Sequence, residues 1–173
     1  MTAETFRVMT VCTGNICRSP MAEVVLRDRF EAAGLGDRVE IDSTGISDEE
    51  HGNPVDPRAR RVLAAHGYPV GEGHHARQVR ADQLGERDLV LAMTARHAQV
   101  LRRLSNGTET DIRMYRSFDP NAPQVPAGAG EAVLDVDDPW YGDEDGFETT
   151  IAEIEAAADA VVAHVRARLG DAG

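Results

Sequence analysis

Cysteine is nearly absent from this chain of 173 residues, which holds two, Cys12 and Cys17. Both lie in one short segment and cannot staple a fold. That excludes a disulfide-built scaffold and suggests a reducing compartment, the cytoplasm. Long apolar runs are also missing. Nothing approaches the roughly 20 consecutive apolar residues that cross a bilayer, so no membrane is expected as a partner. The opening segment MTAETFRVMTVC has neither a basic start nor an apolar stretch, so no signal peptide is expected; export by a route that needs none is left open. Basic charge is outweighed, with 18 Lys+Arg against 30 Asp+Glu and a net charge of −12. A broad basic face for nucleic acid is thereby excluded, and an anionic ligand would have to be captured locally, against the overall field. Aromatic residues are few, at 5%, yet apolar residues reach 42%, which suits one soluble domain over residues 1–173 and not a disordered tail.

What is present alternates. Arg7 to Val11 reads as a short strand. Ser19-Pro20 predicts a helix start, with Ser as cap and Pro at the first helical position. Ala22, Val25, Leu26, Phe30 and Ala33 share one face of that helix, and Gly34 ends it. Val39 to Ser43 alternates as a second strand would. Asp56-Pro57 starts a second helix that stops at Gly67. The apolar run Leu89 to Met93 predicts a buried strand, and Thr94 a cap for a helix to about Leu104. Asp111 to Met114 is a weak fourth strand. From near Gly146, the positions Phe147, Ile151, Ile154, Ala158, Val161, Val162, Val165 and Leu169 form the stripe of a last amphipathic helix. This order predicts an α/β fold, a parallel sheet covered on both faces, with its ligand crevice beyond the C-terminal strand ends. The polar stretch Asn121 to Gly130 reads as a mobile loop.

The chemistry concentrates where the first strand runs into Cys12-Thr13-Gly14-Asn15-Ile16-Cys17-Arg18-Ser19-Pro20, a Cys-x5-Arg loop before a helix. A loop of this length can turn its backbone N–H groups toward one centre. The helix behind it adds free N–H groups and the positive end of its dipole. The donors that would hold a phosphate also stabilise a thiolate at Cys12. Arg18 can fork onto two phosphoryl oxygens, which a Lys ammonium cannot do. Gly14 and Asn15 tolerate the positive φ that a tight anion loop requires. No second cysteine pair exists to complete a zinc site, and neither metal nor cofactor is expected. Cys17 is either buried filler or a resolving thiol for an oxidised Cys12.

The segment CTGNICRSPMAE, Cys12 to Glu23, resembles the signature of the low-molecular-weight protein tyrosine phosphatases. IDSTGIS, DPRA, HHARQV, RSFDP and DDPWYG follow in the order of that family's later landmarks. The resemblance implies a single-domain, four-stranded parallel sheet with helices on both faces and the phosphate loop between first strand and first helix. It also implies a cysteinyl-phosphate intermediate and no metal. Cys12 would be the nucleophile, Arg18 the phosphate ligand, and Asp138, just before Pro139, the general acid. Thr13, Gly14, Asn15, Ile16, Cys17 and Ser19 would surround the phosphoryl group. Trp140 and Tyr141 would wall the substrate ring, Trp140 the more exposed. Asn15, Ser19, Ser43 and His74 would hold the loop by hydrogen bonds. The implied partners are tyrosine-phosphorylated proteins and inorganic phosphate or similar oxyanions, met by a monomer.

Two features stand apart from that pattern. Glu49 and Glu50 lie where the family often has an aromatic wall, which predicts weaker binding of acidic phosphopeptides. The loop Asn121 to Gly130 is longer than the pattern suggests. A thiol-linked arsenate reductase would need cysteines beyond Cys17, and a phosphoarginine hydrolase by resemblance has a small polar residue where Ile16 stands. A branched apolar side chain there favours a flat phenyl ring.

Overall fold

A computed structural model describes residues 5–106, 108–125, 127 and 130–170. Four strands, β1 (Phe6–Cys12), β2 (Val39–Gly45), β3 (Leu89–Ala92) and β4 (Ile112–Met114), form one sheet in the order β2-β1-β3-β4. Every pairing is parallel. Among the described residues, five helices cover it: α1 (Arg18–Ala32), α2 (Pro57–Ala65), α3 (Ala81–Leu84), α4 (Ala95–Ser105) and α5 (Glu144–Arg168). Side chains of β1 alternate between two cores. Val8 and Cys12 join the cluster built with α1, α2 and α5, while Met9 and Val11 join the one built with α3 and α4. The chain leaves β1 toward β2 on one side and reaches β3 on the other. The crevice beyond the end of β1 is therefore the topological switch point, and Cys12 is the last residue of that strand.

Helix boundaries follow capping chemistry. The Asp56 carboxylate accepts from the Arg58 amide at 2.8 Å and Pro57 is the first residue of α2. Gly67 then takes the left-handed turn at φ +84° that ends it. Thr94 Oγ1 accepts from the His97 amide at 3.2 Å to start α4. α5 begins at Glu144, two residues before the predicted Gly146, because Asp143 caps it by accepting from the Asp145 amide. Acidic Glu144 and Asp145 in its first turn and basic Arg166 and Arg168 in its last match the helix dipole. Its stripe from Phe147 to Val165 is buried as read from the sequence.

One predicted cap is overturned. α1 starts at Arg18 with Cys17 in the cap position, so Ser19 lies inside the first turn and Pro20 is the third helical residue. The loop winds straight into the helix, and the Ser19 hydroxyl turns inward instead of capping. Of the stretch Asn121 to Gly130, residues Pro126, Gly128 and Ala129 lie outside the described residues; the rest carries no regular helix or strand.

Candidate active site

Beyond the end of β1 lies a cavity of about 210 Å³, lined by Cys12, Thr13, Gly14, Ile16, Cys17, Arg18, Glu49, Glu50, Asp138, Trp140 and Tyr141. Its floor is Cys12, 2% exposed. Among the described residues, no backbone carbonyl accepts from the amides of Gly14, Ile16 or Cys17, and the first turn of α1 adds free amides of its own. Those donors are what an anion seated above Cys12 would meet. The loop can return on itself because β2 ends in Gly45. A Cβ there would stand 2.4 Å from the Thr13 carbonyl oxygen, so only glycine fits.

The loop is braced from behind. Asn15 is fully buried at φ +63°, a left-handed conformation that Asn tolerates better than most residues. Its Nδ2 donates to Ser19 Oγ at 2.9 Å and to Ser43 Oγ at 3.0 Å. Its Oδ1 accepts from the Arg77 amide at 3.0 Å. His74 Nε2 donates to the Asn15 carbonyl at 2.7 Å, which places the ring proton on that nitrogen. Asn15 and Ser19 therefore lie behind the cavity wall rather than on it. Ser19 Oγ is 3.0 Å from Cys12 Sγ and 3.1 Å from the Thr44 carbonyl oxygen. Its single proton can serve either. A sulfur anion would draw it from the carbonyl, so this hydroxyl can answer a change of charge at Cys12 by rotation alone. Arg77 is a part of the brace that the sequence pattern did not single out; besides its amide, its Nη2 pairs with Asp42 at 2.6 Å.

Arg18 is 4% exposed and held in place before any ligand arrives. Nη1 donates to the Val136 carbonyl at 2.9 Å, and Nη2 donates to Thr13 Oγ1 at 3.3 Å. Nη2 also lies 3.5 Å from Asp138 Oδ2. The two carboxylate oxygens of Asp138 are divided in use: Oδ1 accepts from the Trp140 amide at 3.0 Å, which fixes the carboxyl at the head of the short 3-10 turn Pro139–Tyr141. Oδ2 is left toward the arginine and the cavity.

The rim is looser. Trp140 is 44% exposed and Tyr141 88%, the reverse of the predicted order. The reason is Arg58. Its guanidinium stacks 5.0 Å from the Trp140 ring centre and 4.8 Å from that of Phe147, and donates to the Trp140 carbonyl at 3.1 Å. Tyr141 has no such partner among the described contacts. Arg58 is itself anchored on Asp56 at 3.1 Å through both Nε and Nη2. Burial works against the Asp56 charge, yet the Arg58 hydrogen bonds hold its carboxyl below the usual range. The Asp56 amide also donates to the Ile16 carbonyl at 2.9 Å, so the three residues Asp56 to Arg58 tie the phosphate loop to the acid turn. Burial and the Asp56 carboxylate push the Cys17 thiol upward, so it faces the cavity as a neutral group; both cysteines are free. Glu49 and Glu50 stand on the cavity wall and leave the aromatic surface to the Trp140 side.

A larger hollow, about 600 Å³ between α1 and residues 68–72, has no cysteine, serine, threonine or histidine among its lining residues. Among the described residues, the β1 crevice alone joins a thiol, a guanidinium and a carboxyl, the set for phosphoryl transfer through sulfur. The comparisons agree with that chemistry. A sequence model for the low molecular weight phosphotyrosine protein phosphatases matches residues 7–170. The low molecular weight protein-tyrosine-phosphatase of Streptomyces coelicolor is 50% identical over 165 residues, 94% of each chain. The low molecular weight protein-tyrosine phosphatase A of Mycobacterium tuberculosis is 44% identical over 156 residues, 90% of this chain and 88% of its own. Among solved structures, a protein tyrosine phosphatase from Entamoeba histolytica with Hepes in its active site superposes with a TM-score of 0.82 at 26% identity, covering 96% of this chain and 99% of that one. With fold, loop and relatives in accord, the chain belongs to the low-molecular-weight phosphotyrosine protein phosphatase family.

Proposed function

We propose that this protein hydrolyses phosphotyrosine in other proteins by two displacements at phosphorus. In the first, the Cys12 sulfur attacks, the S–P bond forms, and the bond from phosphorus to the tyrosine oxygen breaks. Asp138 gives that oxygen its proton. In the second, water attacks the cysteinyl phosphate, Asp138 takes a proton from it, the S–P bond breaks to return the Cys12 thiolate, and inorganic phosphate leaves. Arg18 and the loop amides hold the equatorial oxygens throughout, so most of the rate comes from positioning and fixed charge.

What supports this reading is the meeting of Cys12, Arg18 and Asp138 at one cavity of about 210 Å³. Cys12 is 2% exposed, and Ile16 with the Trp140 side of the cavity offers apolar surface that a flat phenol ring can use. The cavity draws all its lining residues from one chain, and we take the working unit to be a monomer. Its work belongs in the cytoplasm, where the thiol stays reduced. No helix among the described residues is long and apolar enough to cross a membrane. Inorganic phosphate and like oxyanions compete for the loop. Glu49 and Glu50 favour basic residues beside the phosphotyrosine and repel acidic ones.

Turnover of p-nitrophenyl phosphate by wild type, Cys12→Ser and Asp138→Ala tests the mechanism. The expected result is a phosphoryl adduct on Cys12 of the wild type, trapped by rapid quenching, and loss of activity by about 10⁴-fold or more in Cys12→Ser. Full activity in Cys12→Ser defeats it. Matched phosphopeptides with Lys or Glu flanks test the specificity, and equal kcat/KM on the two removes that part.

A further inference from the structure

One contact to the phosphate loop comes from a distant element. His97, in the first turn of α4, is 1% exposed and lies 84 residues beyond Thr13. Both its ring nitrogens are engaged. The Thr94 amide donates to Nδ1 at 3.1 Å, and an amide can only donate, so Nδ1 carries no proton. Burial, with Arg18 and Arg96 nearby, pushes the imidazole down to about 3, so the ring is neutral in working conditions. The ring proton is therefore on Nε2, which donates to Thr13 Oγ1 at 2.8 Å. The same oxygen accepts from Arg18 Nη2 at 3.3 Å. A threonine hydroxyl has two acceptor sites and one proton. His97 and Arg18 occupy both sites, and Thr13 lines the cavity. Its own proton is left to donate.

We infer that His97 is a positioning residue for phosphoryl binding, acting through the Thr13 hydroxyl. The imidazole, at 2.8 Å, locks a rotor that Arg18 Nη2 at 3.3 Å would by itself hold less tightly. Locked, Thr13 Oγ1 is a fixed acceptor for one end of the Arg18 guanidinium, while the Val136 carbonyl, 2.9 Å from Nη1, fixes the other. Two acceptors at the two Nη atoms set the plane of the fork before an anion enters. The Thr13 O–H, with no lone pair left to fill, is directed to the anion. A different role, closing the α4 capping box with Thr94, ends at that helix and requires nothing of Thr13.

The inference rests on the phosphatase reading, and its test has a binding arm that does not. The variants are His97→Leu, Thr13→Val, their combination, and His97→Gln, which can still close the box and still donate to Thr13. The measurements are kcat and KM on p-nitrophenyl phosphate, the dissociation constant of inorganic phosphate by calorimetry, and thermal unfolding. His97→Leu and Thr13→Val are each expected to lower kcat/KM and phosphate affinity about tenfold, from the loss of one hydrogen bond at an ionic site. The double variant is expected to be no worse than either single one. His97→Gln is expected within about twofold of wild type on both readouts. Multiplying effects in the double variant overturn the inference. So does a His97→Leu protein that unfolds earlier but binds phosphate as wild type does, or a His97→Gln that fails to restore binding. Wild type that binds phosphate with this pattern yet turns over no phosphomonoester defeats the phosphatase reading and leaves the brace standing.

Discussion

The cradle and the rim of this cavity are built to opposite standards. Around the phosphate loop, Asn15 and Ser19 are 0% exposed and Arg18 4%, and each spends its polar atoms on partners inside the protein. At the acid turn, the Asp138 side chain is 35% exposed, Tyr141 is 88% exposed, and the turn is strapped to α2 through Arg58. The difference follows what each half must recognise. A phosphoryl group has one shape, so its seat gains from rigidity. Leaving groups and flanking sequences vary, so the rim gains from freedom to adjust. Damage to the cradle should therefore fall on stability and on every substrate alike, and damage to the rim on particular substrates with stability nearly intact.

The largest break is expected from Asn15→Ala. The change removes three hydrogen bonds, strands Ser43 Oγ and the Arg77 amide in a buried place, and asks Ala to hold φ +63°. A loss of about 2–3 kcal/mol in urea unfolding is expected, with kcat/KM down about a hundredfold on all phosphomonoesters. If the loss were confined to one substrate, the cradle would not be the shared rigid element described.

His97 sharpens the same contrast through pH. Its folded value is pushed down to about 3 by burial from an ordinary 6.5. Above pH 6.5 both folded and unfolded chains hold the ring neutral and the full stability is present. Below it the unfolded chain binds a proton that the folded ring refuses, so stability falls with pH down to about 3. On the order of 1–2 kcal/mol is expected to go between pH 7 and pH 5 through this group. His97→Gln should flatten that slope in chemical unfolding; an unchanged slope would assign the acid sensitivity elsewhere.

At the rim, Arg58→Ala frees the acid turn by removing the Trp140 carbonyl bond and the stack on Trp140 and Phe147. Proton donation matters most for a poor leaving group. The expected loss is about tenfold on phenyl phosphate and markedly less on p-nitrophenyl phosphate, whose phenoxide leaves with little help. Equal losses on the two would mean that Arg58 does not serve the position of Asp138.

How much of this could be read from the chain depends on how local the cause is. The four strands, the Asp56 and Thr94 caps and the α5 stripe are written within a few residues of where they act, and so was the loop. The family's motifs marked Cys12, Arg18 and Asp138, and the fold brings those three to one cavity. Ser19 misled because its sequence neighbours spell a cap, whereas its hydroxyl is claimed by Cys12 and Thr44 across the sheet end. The order of exposure at Trp140 and Tyr141 was illegible because it is decided by Arg58, 82 residues earlier. His97 gave no signal for the same reason: a lone histidine on a helix shows neither its burial nor the threonine it faces.

The smallest effect, and the finest test of the comparison, belongs to Tyr141→Ala. At 88% exposure the ring buries almost nothing in the free protein, so its removal should leave thermal unfolding unchanged. Inorganic phosphate reaches the loop without touching the rim, and its affinity should hold too. A phosphotyrosine peptide brings a ring that can stack on the rim, and stacking of this kind contributes about 0.5–1.5 kcal/mol. The change should therefore appear as a rise of about threefold to tenfold in KM for the peptide, with kcat retained. A weakened phosphate affinity would show that the two halves of the site are coupled through Tyr141 after all, and that the freedom of the rim is smaller than its exposure implies.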